Sequence, residues 1–216
     1  MRRIVFFLLL LPILLSSCSR NWISIERNEQ LLNQDREIKK IICIDPRFYF
    51  EEDELNFDLE KNQKITQTVR KNILKSSKSN NFDLSIFDFK ENTTTNFYND
   101  LLTLKKQMVS VNFNQATPLN FNKQTTVGEI EKKIFVYPPK ISFDFVKLSE
   151  EYGTPYFSYM GIYAQKRKLI LYHLVIDTDN SETVYREFKV VNSRVSKITI
   201  AQMIYDSYAM LKSEFK

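Results

Sequence analysis

Apolar and polar positions alternate along this chain with two different periods, and the switches between the periods mark out its elements. Ile38 to Ile44 is a short, β-branched apolar run closed by Asp45-Pro46, which predicts a first strand. Between Glu60 and Lys75, Ile65, Val69 and Ile73 recur at every fourth position with Leu74 beside them, so an amphipathic helix is expected. The polar run SSKSNN ends it, and FDLSIFDF, from Phe82 to Phe89, alternates as a second strand. Phe97, Leu101, Leu104 and Met108 form another helical stripe, and the unpatterned stretch from Asn112 to Thr126 reads as a long loop. Ser142 to Tyr152 is expected to be helical, with Phe145, Leu148 and Tyr152 on one face and Gly153 as its stop. Three strands follow, Tyr156 to Ala164, Leu169 to Asp177 and Thr183 to Val191. Ser196 to Lys212, with Ile198, Ala201, Tyr205, Tyr208 and Leu211 at helical spacing, closes the chain. This order predicts an α/β (α+β) fold: a mixed central sheet with a C-terminal antiparallel meander and helices packed on one or both faces.

The two turns of the meander set its register. With QKRK (Gln165 to Lys168) closing the first hairpin, Ala164 pairs with Leu169 and Gly161 with Tyr172. With Asp179-Asn180 centring the second, Leu174 falls opposite Tyr185. Side chains alternate between faces along a strand, so one face should carry Phe157, Tyr159, Tyr163, Ile170, Tyr172, Leu174, Ile176 and Tyr185. The other should carry Met160, Ile162, Leu169, Leu171, Val175, Val184, Phe188 and Val190, with His173 and Arg186 as polar exceptions. The second face is the more aliphatic and is expected to be core beneath helices. For the tyrosine face two readings stand, a helix-covered face or a docking surface, and Glu187 and Lys189 on it should reach water.

The N-terminus follows neither period. Arg2 and Arg3 precede 12 almost unbroken apolar residues, Ile4 to Leu15, and then the small Ser16 and Ser17. That is the layout of a secretory signal. As a helix the apolar run reaches only about 18 Å, short of the roughly 30 Å core of a bilayer. Leu15-Ser16-Ser17-Cys18 resembles the bacterial lipobox, in which the cysteine is acylated, typically with palmitate among its chains, and becomes the first mature residue. The resemblance implies Cys18 as lipid-attachment site and a lipid-anchored place in the bacterial cell envelope, at the outer membrane facing the periplasm. Residues 1–17 are then a cleaved signal peptide, 18–37 a polar tether, and 38–216 a single soluble domain; for Trp22 two readings stand, a place at the membrane interface or packing on the domain.

Composition fits that division. The chain has 216 residues and is 43% hydrophobic, with 17 Phe and 11 Tyr, enough for a sizeable core in one domain. Net charge is +5 and falls by two when Arg2 and Arg3 leave with the leader. The excess is spread out, with Lys166-Arg167-Lys168 its densest point, so a nucleic-acid partner is not expected.

Candidate chemistry is sparse. With Cys18 acylated, Cys43 has no intramolecular disulfide partner and reads as a small core hydrophobe. His173 is the only histidine, which excludes His-pair metal sites, and its mid-strand place reads as a hydrogen-bonded core residue. Asp177-Thr178-Asp179-Asn180-Ser181 starts like a calcium loop, but Glu182 stands where Gly is needed and Phe188 where Glu is needed, so a hairpin turn is expected. Three glycines, at 128, 153 and 161, leave no phosphate-cradling loop or dinucleotide fingerprint. Glu51-Glu52-Asp53-Glu54 reads as a solvated loop. No cofactor or metal is expected.

Within residues 141–212, YFSYMGIY…LYHLVIDTDNSETVYRE…MIYDSYAML resembles an arrangement of strand, glycine, strand, turn, strand and helix. It is shared by the curli-secretion-channel lipoprotein family and the N-terminal domain of the Tol-system propeller protein. Those relatives usually carry Gly in the second turn, where this chain has Asn180-Ser181. The resemblance implies a sheet flanked by helices and used for assembly and contacts. Membrane-crossing hairpins need strands of about ten residues, and FDLSIFDF is too short alone, so a pore is not expected. The expected function is a non-enzymatic interaction module, held to the membrane by acyl chains and contacting envelope proteins or the cell wall. A small-ligand-binding lipoprotein and an enzyme without a recognisable motif are the alternatives.

Cys18→Ala should block lipidation and normal maturation while the domain still folds. Mass spectrometry of the mature N-terminus checks this, and an unmodified first residue other than Cys18 in the wild type would sink it.

Overall fold

Strand pairing, more than helix packing, organises this chain: among the described residues eight strands hydrogen-bond into one open mixed sheet. A computed structural model describes residues 22–27, 37–51, 59–92, 95–115, 130–134, 145–165 and 168–215. The strands are β1 (Trp22–Arg27), β2 (Lys40–Ile44), β3 (Arg47–Glu51), β4 (Asp83–Phe87), β5 (Ile130–Ile134), β6 (Tyr156–Gln165), β7 (Lys168–Asp177) and β8 (Glu182–Asn192). The helices are α1 (Leu59–Ser79), α2 (Tyr98–Gln115), α3 (Val146–Tyr152) and α4 (Lys197–Glu214). Strand order is β4-β2-β6-β7-β8-β1-β5. β6, β7, β8 and β1 run antiparallel in turn, and β2–β4, β2–β6, β3–β6 and β1–β5 are parallel. β2 and β3 share one edge of β6: Ile42 and Cys43 meet Phe157 and Ser158, and after the break at Asp45-Pro46, Arg47 to Glu51 meet Gly161 to Gln165.

Each face of the sheet buries its own cluster. Cys43, Met160, Ile162, Leu169, Leu171 and Val175 pack under Val69 and Ile73 of α1 and Ile200, Met203, Ile204 and Leu211 of α4. Ile42, Ile44, Phe157, Tyr159, Leu174 and Ile176 pack under Leu101, Leu104 and Met108 of α2 and Leu148 of α3. The predicted α+β class, mixed sheet and C-terminal meander are therefore present, with helices on both faces. Gly153, at φ 62°, ends α3 in the left-handed conformation that a residue without Cβ adopts cheaply. Among the described residues no helix is long and apolar enough to cross a membrane.

Several boundaries differ from the sequence reading. The tether expected over residues 18–37 is interrupted, because Trp22 to Arg27 form β1, paired on both sides by β8 and β5. WISIER alternates, but over too few residues to stand out from its polar flanks. α1 continues to Ser79 through most of SSKSNN, and α2 continues to Gln115 into the stretch expected as loop. Glu51 is the last residue of β3, while residues 52–54 of the acidic run lie outside the described residues.

The meander follows its turns and then departs by one residue. Ala164 pairs with Leu169 and Gly161 with Tyr172, as the first turn dictates. At the second, Asp177 pairs with Glu182 and Ile176 with Thr183, as a turn centred on Asp179-Asn180 requires. The register then shifts, so Val175 faces Tyr185 and Leu174 faces Arg186. Val184 is the extra residue, and a single insertion swaps the faces of everything beyond it. Tyr185, Glu187 and Lys189 thus join the face beneath α1 and α4, whereas Arg186, Phe188 and Val190 join the tyrosine face. Met160 and Leu171 are core as expected, and Phe188 is buried from the opposite face.

Glu187 and Lys189 therefore do not reach water; they are 1% and 6% exposed. α4 supplies their partners. Ser207 Oγ and the Tyr185 hydroxyl donate to Glu187 Oε2, and Lys189 Nζ donates to Asp206 Oδ2 at 2.9 Å. Glu187 stands opposite His173, whose Nδ1 lies 2.8 Å from Ser207 Oγ. Since Ser207 spends its proton on Glu187, Nδ1–H is the donor to Ser207 and Nε2 is left without a partner. Burial pushes the Glu187 carboxyl up and the His173 imidazole down to about 3. Burial likewise pushes the Cys43 thiol up to about 12, so it is an inert core group.

A histidine kept neutral by the fold stabilises it above the ordinary imidazole value near 6.5, and that contribution is lost as pH falls towards 3. The stability difference between His173→Phe and wild type should accordingly move in the variant's favour by about 1.4 kcal/mol for each pH unit below roughly 6. Urea unfolding of both proteins at pH 7.5 and 5 measures it, and a difference independent of pH would refute the buried neutral ring.

Candidate functional site

Two apolar strands of this chain, IICI and LSIF, are each followed by aspartate within one residue of their last pairing position. β2 and β4 lie parallel, so Asp45 and Asp88 emerge together at their carboxyl ends, where open sheets of this kind collect polar chemistry. Asp45 holds φ at 39°, a conformation uncommon without glycine, and its N–H donates to the Phe87 carbonyl at 2.7 Å. Pro46 follows, and the chain turns into β3.

Three cations from three elements converge on Asp45, which is 1% exposed. Oδ1 accepts from Arg70 Nη2 of α1 at 2.9 Å. Oδ2 accepts from Arg47 Nε and Nη2 of β3 at 3.0 and 2.7 Å, and from Lys105 Nζ of α2 at 2.5 Å. Arg70 spans both carboxylates, since its Nη1 donates to Asp88 Oδ2. The Lys90 N–H donates to Asp88 Oδ1 at 2.9 Å. Desolvation pushes the Asp88 carboxyl up, but Arg70 and the Lys90 N–H outweigh it and hold the group below the usual carboxylate range. Desolvation also works against the Arg70 guanidinium, and Asp88 and Asp45 together keep it charged. Lys105 Nζ further lies 5.4 Å from the Phe89 ring centre and 6.0 Å from that of Tyr159, a cation held over aromatic faces. Three cations share two carboxylates, so the cluster keeps a positive excess of one.

A row of aromatic rings begins beside it. Arg47 pairs in register with Gly161, and Tyr49 with Tyr163. The Tyr49 and Tyr163 rings stack at 4.7 Å and 12°, and Tyr163, Tyr172 and Phe188 continue edge to face across β6, β7 and β8. A Cβ on Gly161 would stand 3.2 Å from both the Tyr159 hydroxyl and a Tyr163 ring carbon, so glycine is what allows these rings to close over the strand. The Tyr159 and Tyr49 hydroxyls meet at 3.5 Å. Burial pushes the phenols of Tyr159 and Tyr163 well up, and that of Tyr172 to about 12, so all three are neutral donors and not nucleophiles. Tyr159 is buried under α2, Tyr163 and Tyr172 are half-buried, and Tyr49 is 38% exposed. The tyrosine face is therefore covered at one end and open at the other. Fixed positive charge, ring faces and neutral hydroxyls are the chemistry of holding a partner.

The sequence-derived candidates lie elsewhere. Cys18 is outside the described residues. Cys43 and His173 are buried beneath the helices. The Asp177 carboxylate accepts from the N–H groups of Asp179 and Asn180 at 2.9 and 3.3 Å and from Asn180 Nδ2 at 2.8 Å, the self-closed turn expected there. Among the described residues no three His, Cys, Asp or Glu side chains are grouped to hold a metal ion.

Fold and site together define an open-sheet α+β protein with a recessed, positively charged ion cluster. No family model matches the chain, and no curated protein matches it either. Among solved structures it is similar to the PelC dodecamer from Paraburkholderia phytofirmans, at 8% identity and TM-score 0.42, over 90% of this chain and 96% of that one. It is similar to lipoprotein GNA1162 from Neisseria meningitidis, at 6% and 0.35, over 82% and 99%. The LpoB C-terminal domain from Salmonella enterica matches at 11% and 0.33, over 77% and 92%. With every TM-score below 0.5, these likenesses carry no functional argument.

Asp45→Asn should lower stability by about 3–5 kcal/mol, because three cations lose the charge that compensates their desolvation. Urea unfolding measures it, and a loss below about 1 kcal/mol would mean that water already compensates the cations.

Proposed function

We propose that this chain is a lipid-anchored protein of the bacterial envelope, attached through Cys18 to the periplasmic face of the outer membrane, whose α+β domain works by contact and not by catalysis. The observation that carries the reading is Leu15-Ser16-Ser17-Cys18 behind a positively charged start and an apolar run too short to span. Residues 1–17 are the cleaved signal in this reading. Only Ser19 to Asn21 then separate the anchor from the sheet, so the tether ahead of the folded body is shorter than residues 18–37. Two or more acyl chains make anchoring stable, which leaves the domain free to use its surface for other partners.

The described residues support a contact role through the open end of the tyrosine face. Tyr49 presents a ring already ordered by stacking on Tyr163, and Arg47 and Lys105 beside it offer charge that Asp45 holds in place. A surface ordered in advance loses little conformational freedom when a partner arrives. Envelope proteins or the cell wall are the partners in reach of such an anchor.

A photo-reactive residue at Tyr49 in the lipidated protein should cross-link to an envelope component in intact cells, while the same group at the exposed Lys71 of α1 should not. Equal yields from the two positions would remove the tyrosine face as the contact surface.

A further inference from the structure

One end of the sheet collects several features that the ion cluster does not use. β1 starts there at Trp22, opposite Val190 near the end of β8. β7 starts there at Lys168, opposite Asn192. Arg194 and Lys197 lie in the connection to α4 and in its first turn, and both are exposed, as is Lys168. Ile198 follows, and at 82% exposure it is the most exposed large apolar side chain among the described residues. Nothing in the core calls for an isoleucine in that place: the buried face of α4 begins at Ile200.

We infer that this end of the domain is its membrane-facing surface, with Lys168, Arg194 and Lys197 meeting anionic lipid headgroups and Ile198 entering the headgroup boundary. The inference rests on acylation of Cys18. Four residue steps from Cys18 to Trp22 span at most about 14 Å, so the anchor holds this end of β1 against the bilayer and no other end of the sheet can come as near. Charge complements the surface: basic side chains are drawn to anionic headgroups within a screening length of about 8 Å at physiological ionic strength. The α4 N-terminus at Ser196 adds its positive dipole end on the same side. Among the described residues, Glu51 ends β3, three strands from β8, Glu131 of β5 stands opposite Ser24 of β1, and Glu60 in the first turn of α1 is paired with Lys64. Lys168, Arg194 and Lys197 lie on β7, after β8 and at the start of α4, between these positions. Exposed Ile198 beside cations is the pairing that interfacial segments use, an apolar group flanked by groups that stay with the headgroups. Tyr49 shares a register row with Trp22 through Tyr163, Ile170 and Val190, so the open end of the tyrosine face borders the bilayer and meets its partner beside the membrane. The C-terminal end of α4, at Ser213, is then distal.

The test uses the full lipidated protein in vesicles of phosphatidylethanolamine and phosphatidylglycerol, with Ile198→Cys or Ser213→Cys carrying an environment-sensitive fluorophore. Cys43 is fully buried and Cys18 is acylated, so the label goes to the introduced thiol. Lipid-borne quenchers should quench the label at 198 several-fold more than the label at 213. The difference should shrink in phosphatidylcholine vesicles and when Lys168, Arg194 and Lys197 are changed together to Glu. Equal quenching at both positions while the protein floats with the vesicles would overturn the orientation and leave the anchor standing. A wild-type protein that does not float and lacks acyl mass on Cys18 would overturn the anchoring reading itself, and the orientation with it.

Discussion

Asp45 is the residue through which the two parts of this sheet are joined. It sits where β2 stops and β3 takes over the same edge of β6, and its carboxylate draws in one cation from each of β3, α1 and α2. Arg70 carries the connection on to Asp88 beyond β4. A single buried charge thus sets the distances between two strands on one face of the chain break and two helices on opposite faces of the sheet. Buried ion pairs are seldom a net gain over apolar packing, because desolvation consumes most of the attraction. Their effect is on specificity: with Asp45 in place only one arrangement of Arg47, Arg70 and Lys105 leaves no cation unpaired. The left-handed backbone at Asp45 follows from the same requirement, since a β conformation there would run β2 straight on and remove the break.

A second constraint operates in the meander. Val184 adds one residue to β8, and the inversion that results places Glu187 and Lys189 under α4. Such residues are tolerated only if the covering helix carries matching groups, and Ser207 and Asp206 do so at the right height. The bulge and α4 therefore depend on each other. An apolar α4 would take Ser207 from Glu187, leaving it the Tyr185 hydroxyl, and Asp206 from Lys189, and an unbulged β8 would turn Glu187 away from Ser207. The same inversion turns Phe188 towards Tyr172 and so extends the aromatic row by one strand.

Much of this was legible in the chain because hydrophobic period reports burial directly. The stripes of α1 and α2 and the three meander strands follow from spacing, and Gly153 marks the end of α3 as glycine does when a left-handed residue is needed. The α4 stripe does not, because Ile198 and Tyr205 are exposed and the buried face runs through Ile200, Met203, Ile204, Tyr208 and Leu211 in a helix apolar on more than one side. Both turn centres were readable from polar composition. The bulge was not, because Val184-Tyr185 is an acceptable pair of strand residues in either register. β1, β3 and β5 are short: WISIER lay among polar residues, RFYFE followed a proline that read as punctuation, and IEKKI has apolar residues only at its ends. The ion cluster needed the topology, since its five charges are spread from Asp45 to Lys105 and only parallel pairing of β2 with β4 brings the two aspartates together. One signal was available: two apolar runs that each finish in aspartate.

The position of β1 also determines how the molecule bears load. Any tension applied to the chain ahead of Trp22 enters the sheet along the axis of β1, which is bonded on one side to β8 and on the other to β5. Pulled along its length, a strand held between two neighbours must break both ladders together, in shear, instead of unzipping one hydrogen bond at a time. The strands β3 and β4, each with a neighbour on one side only and both across β6 from β1, stand outside this line of load. A domain tugged at its N-terminus would therefore resist at β1, where two ladders act together, and those margins would carry little of the force.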